Sequence, residues 1–127
     1  MRVVVVTGGF DPIHSGHIEY FQAAKELGDF LMVGVNSDEW LTRKKGKPFM
    51  NHSERKAIVG MIKGVGHAFS FRDDDGSAID AIEYAKKMFP RAEIIFANGG
   101  DRTADNIPEM AVEDVTFEFG VGGENKM

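Results

Sequence analysis

The 127-residue sequence contains no cysteine, and that absence removes disulfide bonds, thiol catalysis and cysteine-ligated metal in one step. Long hydrophobic runs are missing too: no apolar stretch approaches the roughly 20 residues that a bilayer-crossing helix needs. Nor does anything at the start read as a leader. After Met1 and Arg2 the chain enters a run of valines, without the charged, apolar and cleavage regions of a signal peptide, so the cytoplasm is the expected location and no membrane partner is expected. Positive charge is scarce. Fifteen Lys and Arg stand against twenty Asp and Glu, a net charge of −5, which argues against a nucleic-acid partner because such surfaces are usually basic. There is no internal repeat, low-complexity tract or second-domain boundary.

What is present suits a folded globule. Hydrophobic residues make up 43% of the chain, and its length is enough for one domain with one core. Val3 to Val6 is uniformly apolar, as in a strand buried on both faces at the centre of a parallel sheet. It breaks into Thr7-Gly8-Gly9-Phe10-Asp11-Pro12-Ile13-His14-Ser15-Gly16-His17. The glycines allow a ligand to approach the main chain. His14 and His17, three apart at the start of a helical pattern, can face one side, and the free N–H groups of a helix start favour an anion. Strand, glycine turn and paired imidazoles together describe a phosphate site. A shared zinc ion is the alternative for two histidines one turn apart, but it needs a third ligand, for which Asp11 is the near candidate.

The remaining chain alternates strand and helix. Ile18, Phe21, Ala24 and Leu27 mark the apolar side of a first helix, Phe30 to Val35 a second strand, and Asn36 or Ser37 can cap a short helix through Leu41. A basic loop follows, Arg43-Lys44-Lys45-Gly46-Lys47. Asn51 and Glu54 resemble a capping box for a helix whose stripe is Ile58, Met61, Ile62 and Val65. Arg55 in its first turns opposes the helix dipole, so it is expected to meet an anion, and its fork suits phosphate. His67 to Phe71 reads as a strand, Asp73-Asp74-Asp75 as a solvated loop rather than a cation site, and Ser77 as the cap of a helix ending before Pro90. Ala92 to Ala97 is a further buried strand, breaking into Asn98-Gly99-Gly100-Asp101. A short helix is expected near Pro108 and a partly covered strand over Val115 to Phe119. The expected fold is α/β: a Rossmann-like open parallel sheet of about five strands with helices on both faces, both glycine loops lining one crevice.

From Gly8 to His17 the sequence resembles the His-x-Gly-His signature of a nucleotidyltransferase superfamily that includes glycerol-3-phosphate and choline-phosphate cytidylyltransferases and the adenylyltransferase domain of heptose-phosphate enzymes. Gly-x-Phe-Asp-x-x-His-x-Gly-His is matched at every defining position. The resemblance implies transfer of CMP from CTP to a small phosphorylated alcohol or sugar with release of pyrophosphate. Use of ATP on a sugar phosphate is the alternative, and a nucleotide-binding module without catalysis is a second one. CTP is favoured by overall size and loop order, although the Asn98–Asp101 loop looks equally like heptose-phosphate adenylyltransferases. The catalytic residues implied are His14, His17, Lys44 and Lys45. Thr7, Gly8, Gly9, Phe10, Gly16, Gly99, Gly100 and Asp101 are implied on the nucleotide, and Asp11 and Arg55 on the acceptor. A turn-stabilising bond to nearby backbone is the other reading of Asp11. Trp40 is expected to pack in the core rather than stack on a base. Magnesium is expected with the triphosphate, its protein ligands unknown, and small relatives are often homodimers. The resemblance spans nearly all of residues 1–127 as a single cytidylyltransferase-like domain. One departure is expected: relatives carry a further Ser/Thr-rich tract and helix that hold the triphosphate, where here Gly122 to Asn125 stand.

Overall fold

The computed structural model describes residues 1–99 and 107–122. Five strands, β1 (Arg2–Gly8), β2 (Phe30–Val35), β3 (His67–Ser70), β4 (Glu93–Ala97) and β5 (Val115–Glu118), form one sheet in the order β3-β2-β1-β4-β5. All four pairings are parallel. The helices are α1 (Ser15–Lys25), α2 (Asp38–Lys45), α3 (His52–Gly60) and α4 (Ile79–Met88), with a 3-10 turn at Pro108–Ala111. This is the expected Rossmann-like α/β architecture.

The valine run lies at the centre because it has no polar face to show to water: Val3, Val4, Val5 and Val6 are all fully buried. Their alternation divides the core into two layers. Val3 and Val5 pack with Phe96, Ala81, Ile82 and Ala85, beneath α4. Val4 and Val6 pack with Tyr20, Phe21, Ala24 and Val59, beneath α1 and α3. Strand β5 at the sheet edge alternates half-buried and exposed residues, as its sequence suggested. From β1 the chain first builds outward through β2 and β3, then returns to place β4 on the other side of β1. The order therefore reverses between β1 and β4, and in open α/β sheets the crevice at the carboxyl end of such a reversal is the ligand site.

Several helix faces differ from the sequence reading. In α1 the buried residues are Gly16, His17, Tyr20, Phe21 and Ala24, whereas Ile18 is exposed, because the rotation of the helix is set by His17 and Tyr20 packing over the sheet end. In α3 the buried positions are Arg55 and Val59, and Ile58 and Met61 face outward. Arg43, Lys44 and Lys45 belong to the last turn of α2 rather than to a loop, where their charges oppose the negative end of the helix dipole; Gly46, with φ 92°, ends the helix. Asp73 is not solvated. It is buried and accepts hydrogen bonds from Asn36 Nδ2 (2.9 Å), the Ser37 amide (2.8 Å) and the Ser37 hydroxyl (2.7 Å), fixing the start of α2 against the end of β2. Among the described residues no helix is long and apolar enough to cross a membrane.

Candidate active site

The turn after β1 is built around Phe10. Its backbone lies in the left-handed region at φ 53°, and its buried ring folds back beneath the strand end, where a Cβ on Gly8 would come within 2.8 Å of it. Glycine is thus required at position 8 by the ring that follows. The Phe10 ring meets His17 edge to face at 5.1 Å between centroids and Phe21 at 5.2 Å, so the aromatic residue of the turn props the second histidine.

His14 and His17 form a reciprocal cap on α1. The Gly16 amide donates to His14 Nδ1 at 3.0 Å, and the His14 amide donates to His17 Nδ1 at 3.1 Å. The rings lie 4.0 Å apart at a tilt of 34°. Both Nδ1 atoms are acceptors, so each neutral ring carries its proton on Nε2. Burial, with the neighbouring His14 adding to it, pushes the His17 pKa down to about 4, and near pH 7 this ring is a neutral N–H donor. Nδ1 of His17 closes the cap, while the proton stays on Nε2 at the other side of the ring. The helix start also lacks a neutralising acid. Helices α2, α3 and α4 carry Asp38 and Glu39, Glu54, and Asp80 in their first turns, whereas α1 carries none. Its positive dipole end is therefore not offset by an acidic side chain of its own first turn.

The second glycine turn lies alongside. Tyr20, one turn beyond His17, donates its hydroxyl to the Ala97 carbonyl at 2.9 Å, and a Cβ on Gly99 would stand 3.2 Å from its ring. The turns after β1 and β4 therefore both border α1 at the reversal of strand order. Gly100 and Asp101 lie outside the described residues, as do positions 123–127.

Asp11 and Arg55 have protein partners. The Asp11 carboxylate accepts from the Phe49 amide at 2.6 Å and the Met50 amide at 2.7 Å, and pairs with Lys45 Nζ at 2.8 Å. Burial raises its pKa, but the Lys45 contact and the two amides together outweigh that and hold the carboxyl below its ordinary value. These amides are 38 and 39 residues along the chain, so the carboxylate ties its turn to the entry of α3 rather than bonding nearby backbone. Arg55 is fully buried and donates to the carbonyls of Met50 (2.9 Å), Gly9 (2.9 Å) and Asn36 (2.7 Å) and to Asp38 Oδ1 (2.7 Å). Its position at a helix start did signal an anion; the correction is that Asp38 of the same chain supplies it. Arg55 thereby joins the glycine turn, β2, α2 and the entry to α3.

The two lysines are distinguished by their partners. Lys45 is bound to Asp11, whereas Lys44 Nζ lies 4.7 Å from the centroid of Trp40. Trp40 is half-buried rather than a full core residue, and its ring edge would be 3.4 Å from a Cβ on Gly9. Among the described residues no group of three or more His, Asp or Glu could hold a metal ion.

Asn36, Ser37, Asp73 and Asn98 were absent from the residues expected at the site. Asn36 and Asp73 lie in polar loops with no motif to mark them. Asn98 carried a signal, since it continues a strand that is buried from Ile94 to Ala97.

The family model described as Cytidylyltransferase-like matches residues 5–121. The bifunctional protein HldE of Pelobacter propionicus is 33% identical over 108 residues, covering 84% of this chain and 20% of that protein. HldE of Helicobacter pylori is 33% identical over 125 residues, covering 95% of this chain and 25% of its own length. The chain thus spans about a fifth to a quarter of the curated relatives it matches. Among solved structures, the lipopolysaccharide core biosynthesis protein from Thermoplasma volcanium superposes with a TM-score of 0.71 at 25% identity, covering 94% of this chain and 95% of that one. With the glycine turn, the capped histidine pair and the strand reversal already in place, the match across residues 5–121 means that this chain belongs to the cytidylyltransferase-like family.

Proposed function

We propose that this domain transfers AMP from ATP to the phosphate of a phosphorylated sugar. An acceptor phosphate oxygen attacks the α-phosphorus, the bond to the bridging α,β-oxygen breaks, and pyrophosphate leaves with that electron pair. No protein nucleophile takes part. Catalysis rests on holding the groups in line and on preorganised donors where charge grows.

The observation that carries this reading is the use of both Nδ1 atoms by backbone amides, which leaves His14 and His17 to donate from Nε2 beside an uncompensated helix start. Gly8, Gly9 and Gly16 allow phosphate to approach the main chain. Phe10 and the Gly99-Gly100-Asp101 turn contribute to the nucleotide side. Lys44, which has no carboxylate partner among the described residues, supplies the mobile cation, while Lys45, Asp11 and Arg55 hold the surrounding segments. Magnesium offsets charge on the triphosphate when bound with it.

ATP replaces CTP as the favoured donor. The HldE matches and the likeness of the Asn98–Asp101 turn to heptose-phosphate adenylyltransferases both support it, whereas CTP rested on size and loop order alone. The test is pyrophosphate release with four nucleoside triphosphates against a set of sugar and alcohol phosphates, using the longest natural chain that contains this domain. Turnover with ATP and a sugar phosphate is expected. Turnover with CTP alone contradicts the choice of donor, and calorimetric ATP binding without turnover by any pair favours a binding module.

A further inference from the structure

At the reversal between β1 and β4 one buried polar group lacks a partner. Asn98 follows β4 directly and is 3% exposed, and its Nδ2 makes no hydrogen bond to any described residue. Its main chain is fully engaged. The Asn98 amide donates to the Glu118 carbonyl at 2.7 Å, and its carbonyl accepts from the Val121 amide at 2.9 Å, so the ladder to β5 runs on through this residue.

Strand alternation then sets the direction of the side chain. Ile94 and Phe96 face the layer beneath α4, and Ile95 and Ala97 face the layer beneath α1, which puts Asn98 on the α4 side. The β1–β4 pairing ends at Val5 and Phe96, and counting two residues on along each strand makes Thr7 and Asn98 corresponding positions at the strand ends. Thr7 shares the face, because a Cβ on Gly34 would meet Thr7 Cγ2 at 3.1 Å and Phe71 of the α4-side layer at 3.0 Å. The Thr7 hydroxyl makes no hydrogen bond to a described residue either. The histidines belong to the opposite side, where Phe10 and Tyr20 pack.

We propose that Asn98, together with Thr7, binds the phosphorylated acceptor, with Asn98 Nδ2 donating to a sugar or phosphate oxygen and thereby selecting which acceptor is taken. This rests on the reading of the domain as an adenylyltransferase. The triphosphate is drawn to the α1 side by the helix start and the imidazoles. In-line transfer requires the acceptor to approach the α-phosphorus opposite the departing pyrophosphate, and the strand ends on the α4 side offer hydrogen-bonding groups with no other use. A buried donor without a partner is costly and rare in a native fold, and a ligand oxygen would satisfy it. A site that needs such an oxygen also rejects analogues lacking it.

The near-isosteric Asn98→Leu tests this in the longest natural chain. Its Tm should equal or exceed that of the parent, because no internal hydrogen bond is lost. With the substrate pair that the parent turns over, the acceptor KM should rise about 10- to 100-fold while the ATP KM stays within about 2-fold. A Tm lowered by many degrees would reveal an internal partner and overturn the proposal, as would an unchanged acceptor KM or a rise confined to ATP. Absence of turnover in the parent counts against the adenylyltransferase reading instead. The proposal is then read by calorimetry with hexose and heptose phosphates alone: weaker binding by Asn98→Leu supports it, and equal binding, or no binding by the parent, overturns it.

Discussion

At the residue scale, the two ring nitrogens of His17 face different surroundings. Its Nδ1 closes the cap of α1, and its Nε2 is left protonated and neutral because burial, reinforced by His14, pushes its pKa down to about 4. That depression links folding to pH. The unfolded chain takes up a proton at this ring near pH 6.5, whereas the folded chain does so only near 4. The stability contributed is therefore present above about 6.5 and is lost as pH falls towards 4, by a sum of about 3 kcal/mol. Urea unfolding of the parent and of His17→Gln across this range should show the parent losing more stability on acidification. Parallel curves would mean that the ring is not held neutral by its surroundings. The pair of histidines was legible in the sequence from its spacing, but the division of labour between ring nitrogens was not, since it depends on backbone amides that only the cap geometry positions.

At the element scale, the last turn of α2 separates two adjacent lysines. Lys45 is tied to Asp11, which also holds the amides that lead into α3; Lys44 rests over Trp40 with no carboxylate among the described residues beside it. Lys44→Ala is expected to lower kcat/KM at least 10-fold through lost charge at the phosphates, with Tm changed by no more than a degree or two. Lys45→Ala should lower Tm more, because it leaves a buried carboxylate without its cation. Thermal melts and steady-state rates on the two variants check this, and the reverse pattern would exchange the roles. The strands were readable because β1, β2 and β4 are apolar on both faces. The orientation of α1 and α3 was not readable, because a buried His17, Tyr20 or Arg55 counts as polar in a hydrophobic pattern. Such residues become interior only when a neighbouring element supplies their partners, as Gly9, Asn36, Asp38 and Met50 do for Arg55.

At the scale of the whole molecule, the strand order concentrates the chemistry. Reversal between β1 and β4 brings together two glycine turns that are about 90 residues apart in sequence, and α1 spans both through Phe10, His17 and Tyr20. Acidic residues predominate overall, yet the helix start facing this crevice has none in its first turn. The shared logic of the two turns was visible in sequence as buried strand, paired glycines and aspartate. The two sides of the crevice were not, because they follow from which face Asn98 and Thr7 occupy once register is set. The central claim is that His17 donates to charge that appears at the α-phosphate only in the transition state. The most direct measurement is kcat for pyrophosphate release by His17→Ala beside its ATP affinity. The prediction is a loss in kcat of about 10²- to 10³-fold, or about 3 to 4 kcal/mol, with ATP affinity within a few-fold and a small decrease in Tm from the lost cap. A variant that melts lower but turns over at the parent rate would make His17 a cap alone and contradict the account.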